Sequence, residues 1–586
     1  MNKMSTSSLQ KKASESQVPI ETRDSSNTSS PARTLNEKDN QEQQQNSSVL
    51  DPTPLTDEKT DWSQHTLKNR PWRPRATDFS AIIQARYRGS GTPEDPYIVQ
   101  WLGHDPTNPK NWSMRRKIAI TMVASLMTLC VSLASSAYTG AAREIIGEFH
   151  CSEEVFLIGL SLFVLGFGTG PLVWAPLSET MGRRKVLIFS FVFYTFWTGI
   201  CIAAKNIQTL IVFRAFAGII GSAAMVVPGG QVADLFEAKQ RGVAMAAFSA
   251  APFLGPTVGP IVGGFLAEGA GWRWLFGLLT IFAGVLTVVA ILVMPETYAP
   301  VLLRERARLL SKVTGKFYTT KIDQEQHVDV KMRIKAALTL PWALLFREPI
   351  VLLLTIYMAV VYGTLYLCFA AFPIIFQEGR GWSAGLGGLP FLGIMVGMFI
   401  GVAVIIFDNK RYSRLHDETG GFVPPEVRLP PCIIGGVFTI VGLAWLAACT
   451  SPSIPWIVPI LAGVPFGTGF LLIFMSCTNY LIDSYVIYGA SVMAANSVLR
   501  SLFGAVFPLF TTYMYENIGD HWGSAVPGFL ALACFPFPIF FYKYGPSIRA
   551  KCKYSLQAAR FLESLRSDLE RQKSRASQGA APEDAV

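Results

Sequence analysis

The stretch APFLGPTVGPIVGGFL, residues 251–266, decides the fold. It is apolar enough to lie in a bilayer, yet it carries Pro252, Pro256 and Pro260 with Gly255, Gly259, Gly263 and Gly264. In a soluble helix each interior proline would cost roughly 3 kcal/mol and each glycine about 1 kcal/mol. Inside a membrane, neighbouring helices can satisfy the carbonyls that proline frees. Gly255, Gly259 and Gly263 recur every four residues and so line one helical face, with the prolines in a second stripe beside it. Small residues let another backbone approach closely. The stretch reads as a bent membrane helix with a flat face, suited to packing against a moving partner. A static glycine face is the plainer alternative. Gly504 and Pro508 form a weaker echo later in the chain.

The rest of the chain fits a membrane setting. Of its 586 residues 50% are hydrophobic and only 16% charged, with a mean hydropathy of +0.33. A soluble chain is nearer a quarter charged. Runs of about 20 apolar residues read as transmembrane helices. Twelve are expected, near 118–139, 155–176, 186–204, 207–233, 243–267, 274–294, 350–372, 384–407, 431–450, 455–482, 489–515 and 522–542. They form an all-α polytopic protein with an N-terminal six-helix bundle at 118–294 and a C-terminal one at 350–542. Six and six with a long connection is a duplicated, two-bundle transporter pattern. Residues 1–75 are polar, with few aromatics, and are expected to be disordered. Residues 76–117 form a pre-membrane segment, 295–349 a central loop and 543–586 a C-terminal tail.

Charge sets the orientation. The net charge of +10 is spread between the apolar runs, so it points to topology and not to nucleic acid. Arg115, Arg116, Lys117, Arg183, Arg184, Lys185, Lys239, Arg241, Arg304, Arg306, Arg308, Lys410, Arg411, Arg414, Lys543, Arg549 and Lys551 fall on one side. Positive-inside places that side, both termini and the central loop in the cytoplasm. The loop near Asp483 is the exception, with no Lys or Arg. Nine scattered cysteines, without a C-x-x-C pair, read as small hydrophobes.

Four features carry candidate function. In PLSETMGRRK, residues 176–185, Gly182 permits a tight turn between Glu179 and the cations Arg183, Arg184 and Lys185. This order suits an ion pair that makes and breaks as halves rock, although cations alone would also serve topology. Arg214 interrupts an apolar run, and an arginine at bilayer centre costs at least about 2.5–3.5 kcal/mol on insertion scales. It is close enough to a span end for snorkelling to be the alternative. Arg500 lies deeper, with Asn496 one turn earlier on the same face, and is expected to face the bundle interior or a cavity. Tyr362, Tyr366 and Phe369 share a face that can wall an apolar or cationic ligand, or simply pack. Asn479 and Tyr480 are further cavity candidates. No Walker A loop, H-E-x-x-H or G-x-S-x-G is present, so neither an enzyme nor direct ATP drive is expected.

These motifs resemble the major facilitator superfamily. The APLSETMGRRK stretch is similar to its loop 2–3 motif, matched at Leu177, Gly182, Arg183 and Arg184, with Glu179 where Asp is usual and Ala175 in place of the leading Gly. LIVFRAFAGIIG resembles the span 4 motif at Arg214 and Gly218, with Ala217 where Gln is common. GPTVGPIVGG resembles the span 5 antiporter motif at Gly255, Pro256, Gly259, Pro260, Gly263 and Gly264. DPTNPKNWS, PETYAP, FQEGRGWSAGLGGLPFLGI and AANSVLRSLFGAVFPLF narrow the likeness to the fungal twelve-span drug:proton antiporter group.

The resemblance implies export of small organic molecules by alternating access across the plasma membrane, with the vacuolar membrane as the alternative. The proton gradient would be the energy source, with no cofactor and no metal, and a monomer would suffice. It also implies a conformational switch of Leu177, Glu179, Gly182, Arg183, Arg184 and Asp234, and proton-coupling candidates Arg214 and Gly218. A polyamine or nutrient transporter is the rival within the class. A transceptor signalling through its N-terminal tail is the rival outside it. Deletion of residues 1–75 separates the last, because a pump so truncated is expected to keep transport in a cellular efflux assay.

Overall fold

A computed structural model describes residues 79–325, 330–419 and 423–577. The expected disordered tail at 1–75 lies outside them. Helix dominates because lipid offers the backbone no hydrogen-bond partner. Span 1 is Met114–Gly140, span 2 Glu153–Met181 and span 3 Arg183–Ile202. Span 4 is built from Ile207–Gly221 and Ala223–Leu235, span 5 is Ala238–Ala270 and span 6 Trp272–Val293. Span 7 is Pro349–Phe372 extended by Pro373–Glu378, and span 8 runs from Ala384 through Phe391–Glu418. Spans 9 and 10 are Pro430–Ala448 and Ile457–Ser484. The helix Gly489–Cys534 is too long for one crossing and is broken at Gly519, whose φ of 79° is open to glycine. Span 11 is therefore 489–518, and span 12 is 520–534 continued by Pro536–Lys551.

Helix pairing repeats between the halves. Span 1 packs on span 5 as span 7 does on span 11, and span 2 on span 4 as span 8 on span 10. The halves meet where span 2 touches span 11 and, symmetrically, span 8 touches span 5. This is the duplicated architecture expected from six and six. Span 7 is the most enclosed, with every residue from Tyr357 to Phe372 buried. Spans 3 and 6 turn Phe189, Phe196, Trp274 and Val288 outward. An apolar surface this extensive is one that a bilayer covers.

Span 5 runs unbroken through its three prolines. Its glycine stripe faces span 1 of its own half, not a moving partner. A side-chain carbon on Gly255 would strike Ser132, on Gly259 Ser136, and on Gly263 the Ala137 carbonyl. Ser132 Oγ also donates to the Ala251 carbonyl at 3.2 Å. Those three glycines thus serve close packing within one half. The other half is met by the neighbouring face: Gly264 lies against the Ala384 backbone, and Gly388 against Pro260 and Ile261. The four-residue period was legible in the sequence; which of two stripes met which neighbour was not.

The central stretch is more folded than a loop. It holds helices Ala299–Thr314, Lys321–Glu325 and Val330–Arg347. Strand β1, Tyr97–Val99, pairs in parallel with β2, Tyr318–Thr320. Ile82, Ile83, Val99, Ala307, Leu310 and Tyr318 close a small core of their own. Arg306 reaches Asp105 at 2.7 Å and Thr107 at 2.6 Å, so the pre-membrane segment is tied to the connection between the halves. Nearby, the Arg304 guanidinium holds the Asp323 carboxyl below its usual range.

Because a side chain at 259 would meet the Ala137 and Leu133 backbone as well as Ser136 Oγ, Gly259→Leu is expected to cut the yield of monodisperse protein severely. Gly269→Ala, with open space around it, is expected to be neutral. Size-exclusion profiles of the two variants check this.

Candidate functional site

Two cations lie in the membrane interior without a carboxylate. By the 1.5 Å rise per residue, Arg214 is about 10 Å into span 4 and Arg500 about 16 Å into span 11. Among the described residues, every Asp, Glu, Lys and His of the spans sits toward a span end.

Arg214 is 1% exposed, which rules out snorkelling. Its Nε donates to the Gly159 carbonyl at 3.1 Å, and its two Nη atoms to those of Ala134 and Ser135 at 3.4 and 3.3 Å. The Tyr138 ring lies 3.9 Å from Cζ and the Phe163 ring 4.9 Å. A desolvated cation–π contact is worth about 2 kcal/mol or more, of the order of the insertion cost. Arg214 therefore pins spans 1, 2 and 4 together. Gly218, one turn on, is a close-approach residue: a carbon there would strike the Phe163 backbone.

Arg500 is held differently. Its Cζ lies 4.9 Å from the Tyr362 ring and 5.9 Å from Phe474. Its buried Nε has no hydrogen-bond partner among the described residues. Gly504, one turn along, lets Tyr362 lie against span 11. Asn496 is buried and donates to Met358 Sδ at 3.0 Å.

A polar chain joins the two arginines across the halves. Tyr362 Oη donates to Tyr366 Oη at 3.3 Å. Tyr366 Oη meets Ser135 Oγ of span 1 at 3.1 Å, and the Ser135 carbonyl accepts from Arg214. Phe369 extends this face, 5.0 Å edge-on to Tyr366. Phe253 of span 5 completes the wall against Phe470 and Phe474, at 5.3 and 5.1 Å. Of the sequence's cavity candidates, the structure brings the Tyr362–Tyr366–Phe369 face and Arg500 to one place, and it adds Ser135, Phe253 and Phe474, which the sequence did not mark. Nothing in one sequence marks a serine or phenylalanine as a partner of a residue hundreds of positions away. No contact among the described residues joins Asn479 or Tyr480 to this centre. Tyr480 is buried toward the span end, within electrostatic reach of Glu426 and Arg549.

The loop motif builds a second cluster. Gly182, with φ 100°, turns span 2 into span 3. Arg183 reaches Ser178 at 2.6 Å, Asp234 at 3.5 Å and Glu179 at 3.9 Å, and stacks on Tyr298. Arg184 donates to the carbonyls of Met294 and Ile291 at the end of span 6. Leu177 packs on the adjoining core. The centre of the cluster is Glu296, which the sequence reading passed over. It accepts from the backbone N–H groups of Arg183 and Arg184 at 2.9 and 3.1 Å, and from those of Thr297 and Tyr298. A carboxylate against the first N–H groups of span 3 is favoured by the helix dipole. The PETYAP stretch was its only signal.

The second half repeats the plan. Arg428, from the loop before span 9, meets Asp483 at the end of span 10 at 3.0 Å and stacks on Tyr412. Glu426 pairs with Arg549 of span 12 at 2.8 Å. Asp483, without a basic neighbour in its own loop, thus receives its countercharge from another.

Twin six-helix halves meeting at a polar chain define a multi-pass membrane transporter. Residues 124–508 match the family model described as Major Facilitator Superfamily. The chain belongs to that superfamily. It is 54% identical over 485 residues to the major facilitator superfamily multidrug transporter mdrA of Aspergillus fumigatus, covering 83% of this chain and 80% of that one. It is 53% identical over 499 residues to the MFS-type efflux pump MFS2 of Trichophyton rubrum, covering 84% of each. It is 48% identical over 518 residues to the efflux pump FUBT of Fusarium oxysporum, covering 88% and 87%. Among solved structures, a partially occluded inward-open form of the xylose transporter XylE from E. coli shares the fold. It has a TM-score of 0.52 and 18% identity, over 73% of this chain and 99% of that one.

Glu296→Ala is expected to lower stability by about 1 kcal/mol, as loss of a helix cap does, and to loosen Arg183 and Arg184 from span 6. Thermal unfolding of the purified chain measures it.

Proposed function

We propose that the chain exports small organic molecules by alternating access, driven by proton entry, across the plasma membrane with both termini in the cytoplasm. The observation that carries the movement is the nature of the contact between the halves. Among the described residues no ion pair joins them. They meet through hydroxyl–carbonyl bonds, such as Ser161 to Ala505 at 2.6 Å and Ser497 to Phe167 at 3.1 Å, and through the Gly385 N–H to Glu268 bond at 2.9 Å. The hydroxyl bonds are worth about 1 kcal/mol net each and the bond to the Glu268 carboxylate about 1.5–3 kcal/mol, so they can break and reform. The ion pairs of the two loop clusters lie inside each half and do not span the surface between them. Export is supported by the efflux-pump names of relatives that align along most of the chain.

Arg214 cannot carry the coupled proton, because a guanidinium stays charged at any physiological pH. It is a positioning residue. The exchangeable proton is assigned instead to Asp234, whose loss of charge would free Arg183 from span 4. The rival polyamine reading is weakened by the interior, which offers a polycation no carboxylate.

Expression in a pump-deficient yeast tests the reading. Dye and azole accumulation are expected to fall, and to rise again with a protonophore. Accumulation indifferent to the protonophore would sink the coupling. Asp234→Asn is expected to retain a neutral contact with Arg183 while the response of export to external pH is lost.

A further inference from the structure

The central chain has a charge that the proposed function leaves unused. Arg214 is satisfied by three carbonyls and stacked rings. Arg500 is not. It leans on aromatic faces, its Nε is buried without a hydrogen bond, and among the described residues no carboxylate shares its layer of the membrane. A guanidinium is a planar fork that matches a carboxylate with two parallel bonds. Beside it stand the flat faces of Tyr362 and Phe474, with Phe470 stacked 4.8 Å behind Phe474.

We infer that Arg500 is the anion-recognition residue of the transport site, and that its substrate class is an organic acid with a flat aromatic body. The carboxylate takes the fork of Arg500, and the ring system rests against the Tyr362 and Phe474 faces, which touch at 6.0 Å and part to admit it. Phe253, from the other half, closes over it. Binding gives a partner to a guanidinium whose Nε is buried without a hydrogen bond among the described residues. A cation at the same place would meet Arg500 and Arg214 with nothing to offset them. The Tyr362–Tyr366–Ser135 bonds then report occupancy to span 1, because an anion that draws on Arg500 also changes what Tyr362 faces. The polar loop clusters take no part, since their ion pairs are complete within each half.

This inference rests on the export reading for its site but fails separately from it. The test is calorimetric binding to the full purified chain of three probes of one shape: naphthoate, the neutral naphthamide and the cationic naphthylmethylamine. Naphthoate is expected to bind roughly tenfold more tightly than either of the others, the scale of one charge-assisted hydrogen bond. Arg500→Gln is expected to bring naphthoate down to the amide and to leave the amide unchanged, while Arg500→Lys keeps most of the preference. A folded chain that prefers the amine, or binds none of the three, overturns the inference. So does an Arg500→Gln variant that weakens all three equally, which would mark a packing role. Arg500-dependent binding of naphthoate without its export would leave this inference standing and refute efflux. Proton-driven export of a cationic dye with no naphthoate preference would do the reverse.

Discussion

Two guanidinium groups in a membrane interior that holds no carboxylate among the described residues set the constraint on this structure. Each must be stabilised by neutral means, and the two are handled in different ways. Arg214 draws on backbone carbonyls from spans 1 and 2 and on the Tyr138 face, and so becomes a bolt for one half. Arg500 receives only rings. The same side chain thus serves as a fixed structural cation in one half and as an incompletely matched one in the other. The Tyr362–Tyr366–Ser135 chain links them across the interface.

The division of labour between strong and weak interactions follows. Ion pairs, each with its partners inside one half, sit at the loop ends of the helices. Arg183 with Asp234 and Arg428 with Asp483 are counterparts under the internal duplication, each joining the second loop of its half to that half's fourth helix. The companion contacts run to the sixth helix, through Glu296 in one half and Arg549 in the other, with the sign of the charge reversed. Between the halves there are hydroxyls, glycines, rings and the Glu268 carboxylate on the Gly385 N–H. Among the described residues no ion pair crosses this interface, which suits the alternating access proposed above. The folded connection that pairs β1 with β2 ties the pre-membrane segment to the chain between the halves.

Span 5 shows why residue patterns and their partners are separate problems. Small residues every four positions announce close helix packing, and the packing is there. Yet the glycines serve the static contact with span 1, and Pro260, Ile261 and Gly264 the contact between halves. Two stripes a fraction of a turn apart have the same chemistry and opposite roles.

The sequence by itself determined the membrane setting, the twelve crossings, their division into six and six and the family, because long uncharged runs and loop charges act locally. It also marked Arg214, Arg500 and the Tyr362–Tyr366–Phe369 face, since a cation or a repeated aromatic in an apolar run stands out. Only the tertiary structure decided that Glu296 caps span 3, that Arg428 answers Asp483, that Asn479 and Tyr480 stay apart from the centre, and that Ser135 bridges the halves. Those contacts join residues whose types are ordinary and whose separation along the chain is long. Their meaning comes from the packing of helices, and no local pattern encodes which face meets which neighbour.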